Sequence, residues 1–245
     1  MKVILASSIG GAIKENGKRT PAPLFDYNGF LETLRHGWKD NSKVLIISGS
    51  PDYYGKNDML CECLKQSFPM SGLSILSMEI CDKRNVALVE QIKEMNVVLL
   101  AGGHVPTQNN FFAELGLKEK LADFDGTVIA WSAGSMNCAE IVYAGPEFEG
   151  EAIDPNYKRW LSGLCLTKVN IFPHYQSLKD EWLDGFRIIE DITCADSMGH
   201  EFIALNDGTY IVIEDGRHRL FGEAYRIKDG VIEMICQHGM SVELN

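Results

Sequence analysis

The 245-residue chain carries 23 Lys or Arg against 34 Asp or Glu, which gives a net charge of −11 with His neutral. Apolar residues make up 45% and charged residues 23% of the composition, a mixture typical of globular proteins that excludes disordered and collagen-like chains. The acidic excess argues against a nucleic-acid partner, because phosphate binding needs clustered Lys and Arg, and against an anionic membrane surface.

No linker, low-complexity segment or internal repeat divides the sequence, and we expect a single domain over residues 1–245. Its seven cysteines are scattered and lack zinc-ligand spacing, so reduced thiols are expected rather than a disulfide framework. The first apolar run ends at residues 7–8, which is too short for a signal peptide, and no stretch approaches the roughly 18 apolar residues of a membrane span. We therefore expect a cytoplasmic protein.

Short apolar runs alternate with helical patterns along the first 200 residues. The apolar runs are 3–7, 44–47, 73–80, 97–100 and 128–130, and the helical patterns between them lie near 30–38, 59–64, 86–92 and 111–121, after a basic loop at 10–23. Strands that are apolar throughout are typical of a parallel sheet buried on both faces. The alternation predicts an α/β fold with a doubly wound, mostly parallel sheet flanked by helices.

The pattern changes after about residue 200. Strand-like segments at 202–205, 210–213, 219–227 and 231–236 are separated by three turns that each contain Asp-Gly. Because Asp-Gly between strands is a hairpin signal, we expect a C-terminal antiparallel meander added to the edge of the sheet.

The sharpest local motif follows the apolar run at 128–130. Ala130-Trp131-Ser132-Ala133-Gly134 has the small-x-Ser-x-Gly pattern of a nucleophile elbow, a tight strand-to-helix turn that exposes a serine hydroxyl. Ser132 would stand above a helix N-terminus, and the backbone N–H of Ala133 would point toward a developing oxyanion. The alternative is an ordinary strand-to-helix turn with Ser132 as its N-cap.

Two further features lie at the ends of apolar runs. Gly102-Gly103-His104 follows the run at 97–100, and the N–H of Gly103 is a natural second oxyanion donor; Gly-Gly also occurs freely in helix-entry turns. His104 would either line the pocket or cap the loop. His174 ends the strand-like segment at 169–173, downstream of the elbow, where it can act as the base that a serine nucleophile needs.

A carboxylate must orient the His in such a triad. The loop between Ser132 and His174 offers several acids, and the residues alone do not choose among them: Glu147, Glu149, Glu151 and Asp154.

With these motifs the chain resembles the serine peptidase family of aspartyl dipeptidase (peptidase E) and cyanophycinase. The matching pieces are Gly102-Gly103, Trp131-Ser132-Ala133-Gly134, Asp154-Pro155-Asn156 and Pro173-His174, within residues 1–200. The resemblance implies the class I glutamine amidotransferase-like fold, in which Ser replaces the amidotransferase Cys. It also implies Ser132 as nucleophile, His174 as base, and Gly103 with Ala133 as the oxyanion hole.

The sequence departs from the family at some positions. The family's Gly-Gly-Asn reads Gly-Gly-His here, and the segment from Ser132 to His174 is longer than in peptidase E. Counting back from His174 favours Glu151 as the acid, whereas counting forward from Ser132 favours Glu147, and we prefer Glu151. The N-terminal loop and the β tail are distinctive, so the preference of peptidase E for an N-terminal Asp is not carried over.

The leading hypothesis is a serine peptidase of dipeptidase type that cleaves small peptides through a Ser132–His174–Glu151 acyl-enzyme mechanism. It would need no cofactor and no metal, and its partner would be a small peptide or amide substrate, with a homodimer left open. The alternatives are a non-peptide amidase or esterase on the same triad and a non-catalytic binding protein that retains the fold. Cys138 as the nucleophile is a weaker possibility, because a thiol within a helix pattern is more often buried packing.

Overall fold

The computed structural model describes residues 1–15 and 18–244. Its strands are β1 (Lys2–Ala6), β2 (Gly10–Glu15), β3 (Lys18–Leu24), β4 (Ser42–Ile47), β5 (Ile75–Cys81), β6 (Val97–Leu100), β7 (Thr127–Trp131), β8 (Ile141–Tyr143), β9 (Trp160–Ser162), β10 (Asn170–Phe172), β11 (Trp182–Leu183), β12 (Phe186–Arg187), β13 (Glu201–Leu205), β14 (Tyr210–Glu214), β15 (Arg217–Phe221), β16 (Ala224–Lys228), β17 (Val231–Cys236) and β18 (Ser241–Leu244). Its helices are α1 (Phe30–Arg35), α2 (Tyr54–Met70), α3 (Val105–Glu114), α4 (Leu117–Ala122), α5 (Ala133–Asn137), α6 (Tyr175–Leu178) and α7 (Cys194–Asp196).

The central sheet has the strand order β5-β4-β6-β7-β1-β14-β15-β18. Strands β5, β4, β6, β7 and β1 run parallel, and β14, β15 and β18 continue the sheet in antiparallel pairing from β1. The predicted α/β fold with a mostly parallel sheet and an antiparallel C-terminal extension is therefore confirmed.

The central strands β4, β6, β7 and β1 of this sheet are buried on both faces, as their unbroken apolar runs require. In β1, Val3 and Leu5 pack into one hydrophobic core, whereas Ile4 and Ala6 pack into another on the opposite face. Among the described residues no helix is both long enough and apolar enough to cross a membrane.

The C-terminal segments do not form one meander. Strands β13, β16 and β17 join β10 in a second sheet of order β10-β13-β16-β17, while β14, β15 and β18 belong to the central sheet. The segment predicted as one strand over 219–227 is two strands, which separate at Gly222, whose φ of 102° lies in the left-handed region that favours glycine. The Asp-Gly turns at 215–216 and 229–230 close hairpins as predicted, but the turn at 207–208 connects strands of different sheets.

Smaller differences concern the other elements. The predicted third helix is a 3₁₀ segment over Val86–Glu94, and the helical pattern at 111–121 is divided between α3 and α4. The stretch predicted as a loop at 10–23 contains the antiparallel pair of β2 and β3, and residues 16–17 between these strands lie outside the described residues. This β2–β3 pair packs against α2 at the carboxyl edge of the central sheet.

Candidate active site

Ser132 occupies a strained turn between β7 and α5. Its φ of 53° and ψ of −126° are rare for a residue with a side chain, and strain of this kind concentrates at functional sites. The backbone N–H of Ser132 lies 3.1 Å from the carbonyl oxygens of both Ala6 and Ser7, at the end of the neighbouring strand β1. The elbow geometry expected from the sequence is therefore present.

Close backbone packing explains the small residues of this turn. A Cβ added at Gly134 would overlap the carbonyl oxygen of Leu100, at the end of the adjacent strand β6. A Cβ at Gly103 would similarly overlap the backbone of Gly49, and one at Gly102 would lie 3.0 Å from the Ser132 Cβ. The Gly-Gly loop thus passes directly beside the serine, as its place after β6 predicts.

His174 lies beside Ser132 although 42 residues separate them along the chain. Its Nε2 is 3.0 Å from the Ser132 Oγ, which is hydrogen-bond distance. His174 comes between β10 and α6 in a left-handed conformation, with φ of 58°, and its backbone N–H donates to the Ser7 Oγ at 2.8 Å. A geometry of this kind allows an imidazole to accept the serine proton.

Asp207 is the carboxylate behind His174. Its Oδ1 lies 2.7 Å from the His174 Nδ1 and also accepts a 2.8 Å hydrogen bond from the Ser7 hydroxyl. Burial acts to raise the pKa of Asp207, but the hydrogen bond and charge of His174 outweigh it, helped by the hydrogen bonds of Ser7 and Gln176, and the pKa is lowered. With Asp207 ionised, Nδ1 of His174 carries the proton and Nε2 is left to accept one.

Glu151, preferred from the sequence, does not contact His174. Its Oε2 accepts backbone hydrogen bonds from Glu147 and Phe148 at 2.8 and 3.0 Å, and its Oε1 lies 3.1 Å from the His104 Nε2. The prediction that Glu151 is the acid that orients His174 is wrong. Its two backbone hydrogen bonds and its contact with His104 keep the carboxylate within the 147–151 loop and away from the His174 imidazole.

The remaining acidic candidates also lie away from the imidazole ring nitrogens. Glu147 accepts a long, 3.4 Å hydrogen bond from the Val105 N–H, and Asp154 accepts one from the Asn156 N–H. Glu149 is exposed and makes no side-chain hydrogen bond or ion pair with any residue that the structure describes.

His104 occupies the N-cap position of α3 without a side-chain capping hydrogen bond, and it lines neither of the two cavities beside Ser132. Its Nδ1 is 2.8 Å from the Thr107 Oγ1, and the centroid of its ring lies 4.6 Å from that of the Phe148 ring.

Cys138 is fully buried, its thiol is directed to the carbonyl of Gly134, and burial raises its pKa far above the ordinary value. A buried thiol of this kind is a poor nucleophile, so the structure favours Ser132 over Cys138.

Two cavities meet at Ser132 and His174. One, of about 260 Å³, lies toward Tyr143 and Ile192, and the other, of about 390 Å³, lies toward the β2–β3 pair and α2. Within residues 1–15 and 18–244 no group of three or more His, Cys, Asp or Glu is placed to hold a metal ion. The central sheet, the elbow at Ser132 and the hydrogen-bonded chain of Ser132, His174 and Asp207 together define a serine-type hydrolase.

The comparisons with known proteins narrow this class to a family. The sequence model of peptidase family S51 matches residues 35–221. The chain belongs to peptidase family S51 and is a serine-type peptidase. No curated protein matches this sequence.

A similar solved structure is the 1.5 Å crystal structure of a Listeria monocytogenes EGD-e protein assigned as a peptidase E. It is 12% identical, covers 96% of this chain and 98% of its own, and superposes with a TM-score of 0.59. At this identity the likeness supports the fold alone.

Sequence reasoning missed two residues of the site, Asp207 and Ser7. Asp207 was hidden in a turn that reads as an ordinary hairpin signal, and Ser7 ends the first apolar run. Their positions after strands could have indicated them. Ser7 follows β1, which runs parallel to the strand before Ser132, and Asp207 follows β13, which runs parallel to the strand before His174.

Proposed function

We propose that this peptidase cleaves small peptides through an acyl-enzyme formed on Ser132, with His174 as base and Asp207 as the orienting acid. The observation that carries the proposal is the continuous chain Ser132 Oγ–His174 Nε2, 3.0 Å, and His174 Nδ1–Asp207 Oδ1, 2.7 Å. A binding protein that merely retained the fold would have no need for this alignment.

In the first step His174 Nε2 takes the hydroxyl proton while the Ser132 Oγ bonds to the carbonyl carbon of the substrate. The negative charge that develops on the carbonyl oxygen would be held by the backbone N–H groups of Gly103 and Ala133. Ala133 begins α5, so its N–H is one of those that a helix leaves without an internal partner. Asp207 stabilises the imidazolium that results.

The second half of the reaction reverses these proton movements. The His174 imidazolium gives its proton to the amine nitrogen as the peptide bond breaks, which leaves the acyl group on Ser132. Water then gives a proton to His174 and adds to the acyl carbon, and collapse of that intermediate returns the proton to Ser132. Atoms and charges balance without any further reactant.

The size of the cavities supports a small substrate. Volumes of about 260 and about 390 Å³ on the two sides of Ser132 lie around the lower end of the roughly 300–1,000 Å³ of small-ligand sites, which suits short peptides. Arg19 and Lys56 line the larger cavity, where a peptide carboxylate would be favoured.

A fluorophosphonate probe and a dipeptide panel test the proposal together. We expect Ser132 to be labelled, labelling to disappear in Ser132→Ala, and peptide cleavage to be lost in both Ser132→Ala and His174→Ala. A Cys138→Ala variant should keep the label and the activity. The proposal fails if Ser132 stays unlabelled and no dipeptide is cleaved, and cleavage of esters or simple amides without any dipeptide would restrict the site to a different substrate class.

We also propose a cytoplasmic location. All seven cysteines are free in the structure, as a reducing compartment would keep them. Fractionation of cells that express the tagged full chain tests this, and recovery outside the cytoplasm contradicts it.

A further inference from the structure

The smaller cavity beside Ser132 has apolar walls. Its lining outside the catalytic residues includes these side chains: Met136, Phe172, Pro173, Leu178, Ile188 and Ile192. Walls of this composition favour an apolar group, because a charged side chain placed against them would lose its hydration without gaining partners.

One carboxylate, that of Glu147, shares this cavity with Ser132 and His174. The Val105 N–H gives it a single long hydrogen bond of 3.4 Å, and it forms no ion pair with any cation of the described chain. The nearby carboxylate of Glu151 is already engaged by two backbone N–H groups and lies against His104. Of the acids in this loop, Glu147 is the one that lines the cavity, and its carboxylate remains available to a ligand there.

The electrostatics of Glu147 agree with that position. Burial raises its pKa to about 7, and the charge of Glu151 adds to the rise, while the Val105 N–H and the charge of His174 oppose it. The residue as a whole keeps an exposed surface, so the carboxyl lies in a recess that is open to a ligand from outside. A cation that entered would relieve both the desolvation and the repulsion.

Accepting the proposed function, we infer that this cavity binds the N-terminal residue of the peptide, with an apolar side chain against its walls and the α-ammonium group on Glu147. Three features of the cavity support this arrangement: its apolar walls, the carboxylate of Glu147, and the presence of Ser132 in its lining. An N-terminal Asp or Glu is disfavoured, because its carboxylate would meet the apolar walls and be repelled by Glu147.

Because Glu147 lies in the same cavity as Ser132 and His174, its carboxylate is better placed to bind the α-ammonium group of the substrate than the ammonium group of a lysine side chain. The α-nitrogen is two bonds from the carbonyl carbon that Ser132 attacks, so it must bind close to the catalytic residues. Glu147 is near enough to His174 for the imidazolium charge to affect it. The ammonium of a lysine side chain lies several bonds farther from the carbonyl and could reach Glu147 only by folding back.

Kinetics on four matched peptides test the inference: Leu-Ala, Asp-Ala, N-acetyl-Leu-Ala and N-acetyl-Lys-Ala. We expect wild type to favour Leu-Ala by about tenfold or more in kcat/KM. Glu147→Gln should lower kcat/KM for Leu-Ala about 10- to 100-fold, the range of a hydrogen bond to a charged group, with most of the loss in KM. Glu149→Gln, an exposed change of the same kind in the same loop, should have no effect.

A binding measurement makes the test independent of turnover. Leucinamide, which keeps the ammonium and the side chain, should protect Ser132 from the fluorophosphonate probe in wild type and in Glu149→Gln, but much less in Glu147→Gln. Acetyl-leucinamide and aspartamide should protect poorly in all three proteins.

The inference is overturned if Asp-Ala or N-acetyl-Lys-Ala is the best substrate, or if Glu147→Gln changes neither kinetics nor protection. These outcomes leave Ser132 labelled and therefore leave the proposed function standing. Absence of both probe labelling and dipeptide cleavage in wild type would instead overturn the proposed function itself.

Discussion

Asp207 Oδ1 lies 2.7 Å from His174 Nδ1, and the pairing of two strands explains why. Strands β10 and β13 run parallel, with Phe172 opposite Ala204. His174 follows the end of β10 and Asp207 follows the end of β13, so both residues leave the second sheet at the same edge. Ser132 reaches that position from β7 of the central sheet, and the site therefore lies where the two sheets meet.

Replacement of Asp207 tests the assignment of the acid. Asp207→Asn keeps the shape of the side chain but no longer fixes the His174 tautomer or stabilises its cation, so kcat should fall about 10³- to 10⁴-fold. Glu151→Gln should cost less than about tenfold, because Glu151 supports a loop rather than the imidazole. Steady-state kinetics with circular dichroism of each variant check this, and the opposite ranking of the two variants would restore Glu151 as the acid.

Ser7 should act as a positioning residue for both members of this pair. Its fully buried hydroxyl donates to Asp207 and accepts the His174 backbone N–H, both at 2.8 Å. Ser7→Ala removes a hydrogen bond that lowers the Asp207 pKa, so that pKa should rise. We expect about a tenfold loss in kcat with little change in KM, and NMR titration of the Asp207 carboxyl should give a profile displaced to higher pH than in wild type. An unmoved profile with a normal kcat would show that Ser7 is only packed there.

Glu147→Gln should change how stability depends on pH. Burial raises the pKa of Glu147 to about 7 from an ordinary value of 4.5, so the folded state holds this proton more tightly than the unfolded chain does. The resulting stabilisation is fully present below about pH 4.5 and is lost as the pH rises through about 7. Wild type should therefore lose stability relative to the Gln variant over this range. Thermal unfolding of both proteins checks this, and a constant difference in Tm between about pH 4 and about pH 8 contradicts it.

The elbow should not tolerate even one added methyl group. Gly134→Ala places a Cβ against the Leu100 carbonyl, and overpacking of this kind costs about 1–3 kcal/mol in the free energy of unfolding. Gly55→Ala is the control, because a Cβ there meets nothing within 4 Å and the position lies in α2. That variant should be unchanged or up to about 1 kcal/mol more stable. Denaturant unfolding compares them, and equal stabilities would mean that the turn can relax.

The sequence by itself was sufficient for the features that depend on local patterns. Unbroken apolar runs such as 44–47 and 97–100 predicted strands buried on both faces, and the small residues around Ser132 predicted the elbow. His174 could be selected because it ends a strand downstream of the elbow. Each of these inferences uses residues that are close together in the chain.

The carboxylate that pairs with His174 was decided by tertiary structure alone. The Asp-Gly at 207–208 has the same local chemistry as those at 215–216 and 229–230, yet only the latter two close hairpins. What separates Asp207 from the other turn aspartates is the parallel pairing of β13 with β10, a contact between distant segments. Local residue patterns report turn geometry but carry no information on which distant strand lies alongside, and that neighbour places a carboxylate against His174.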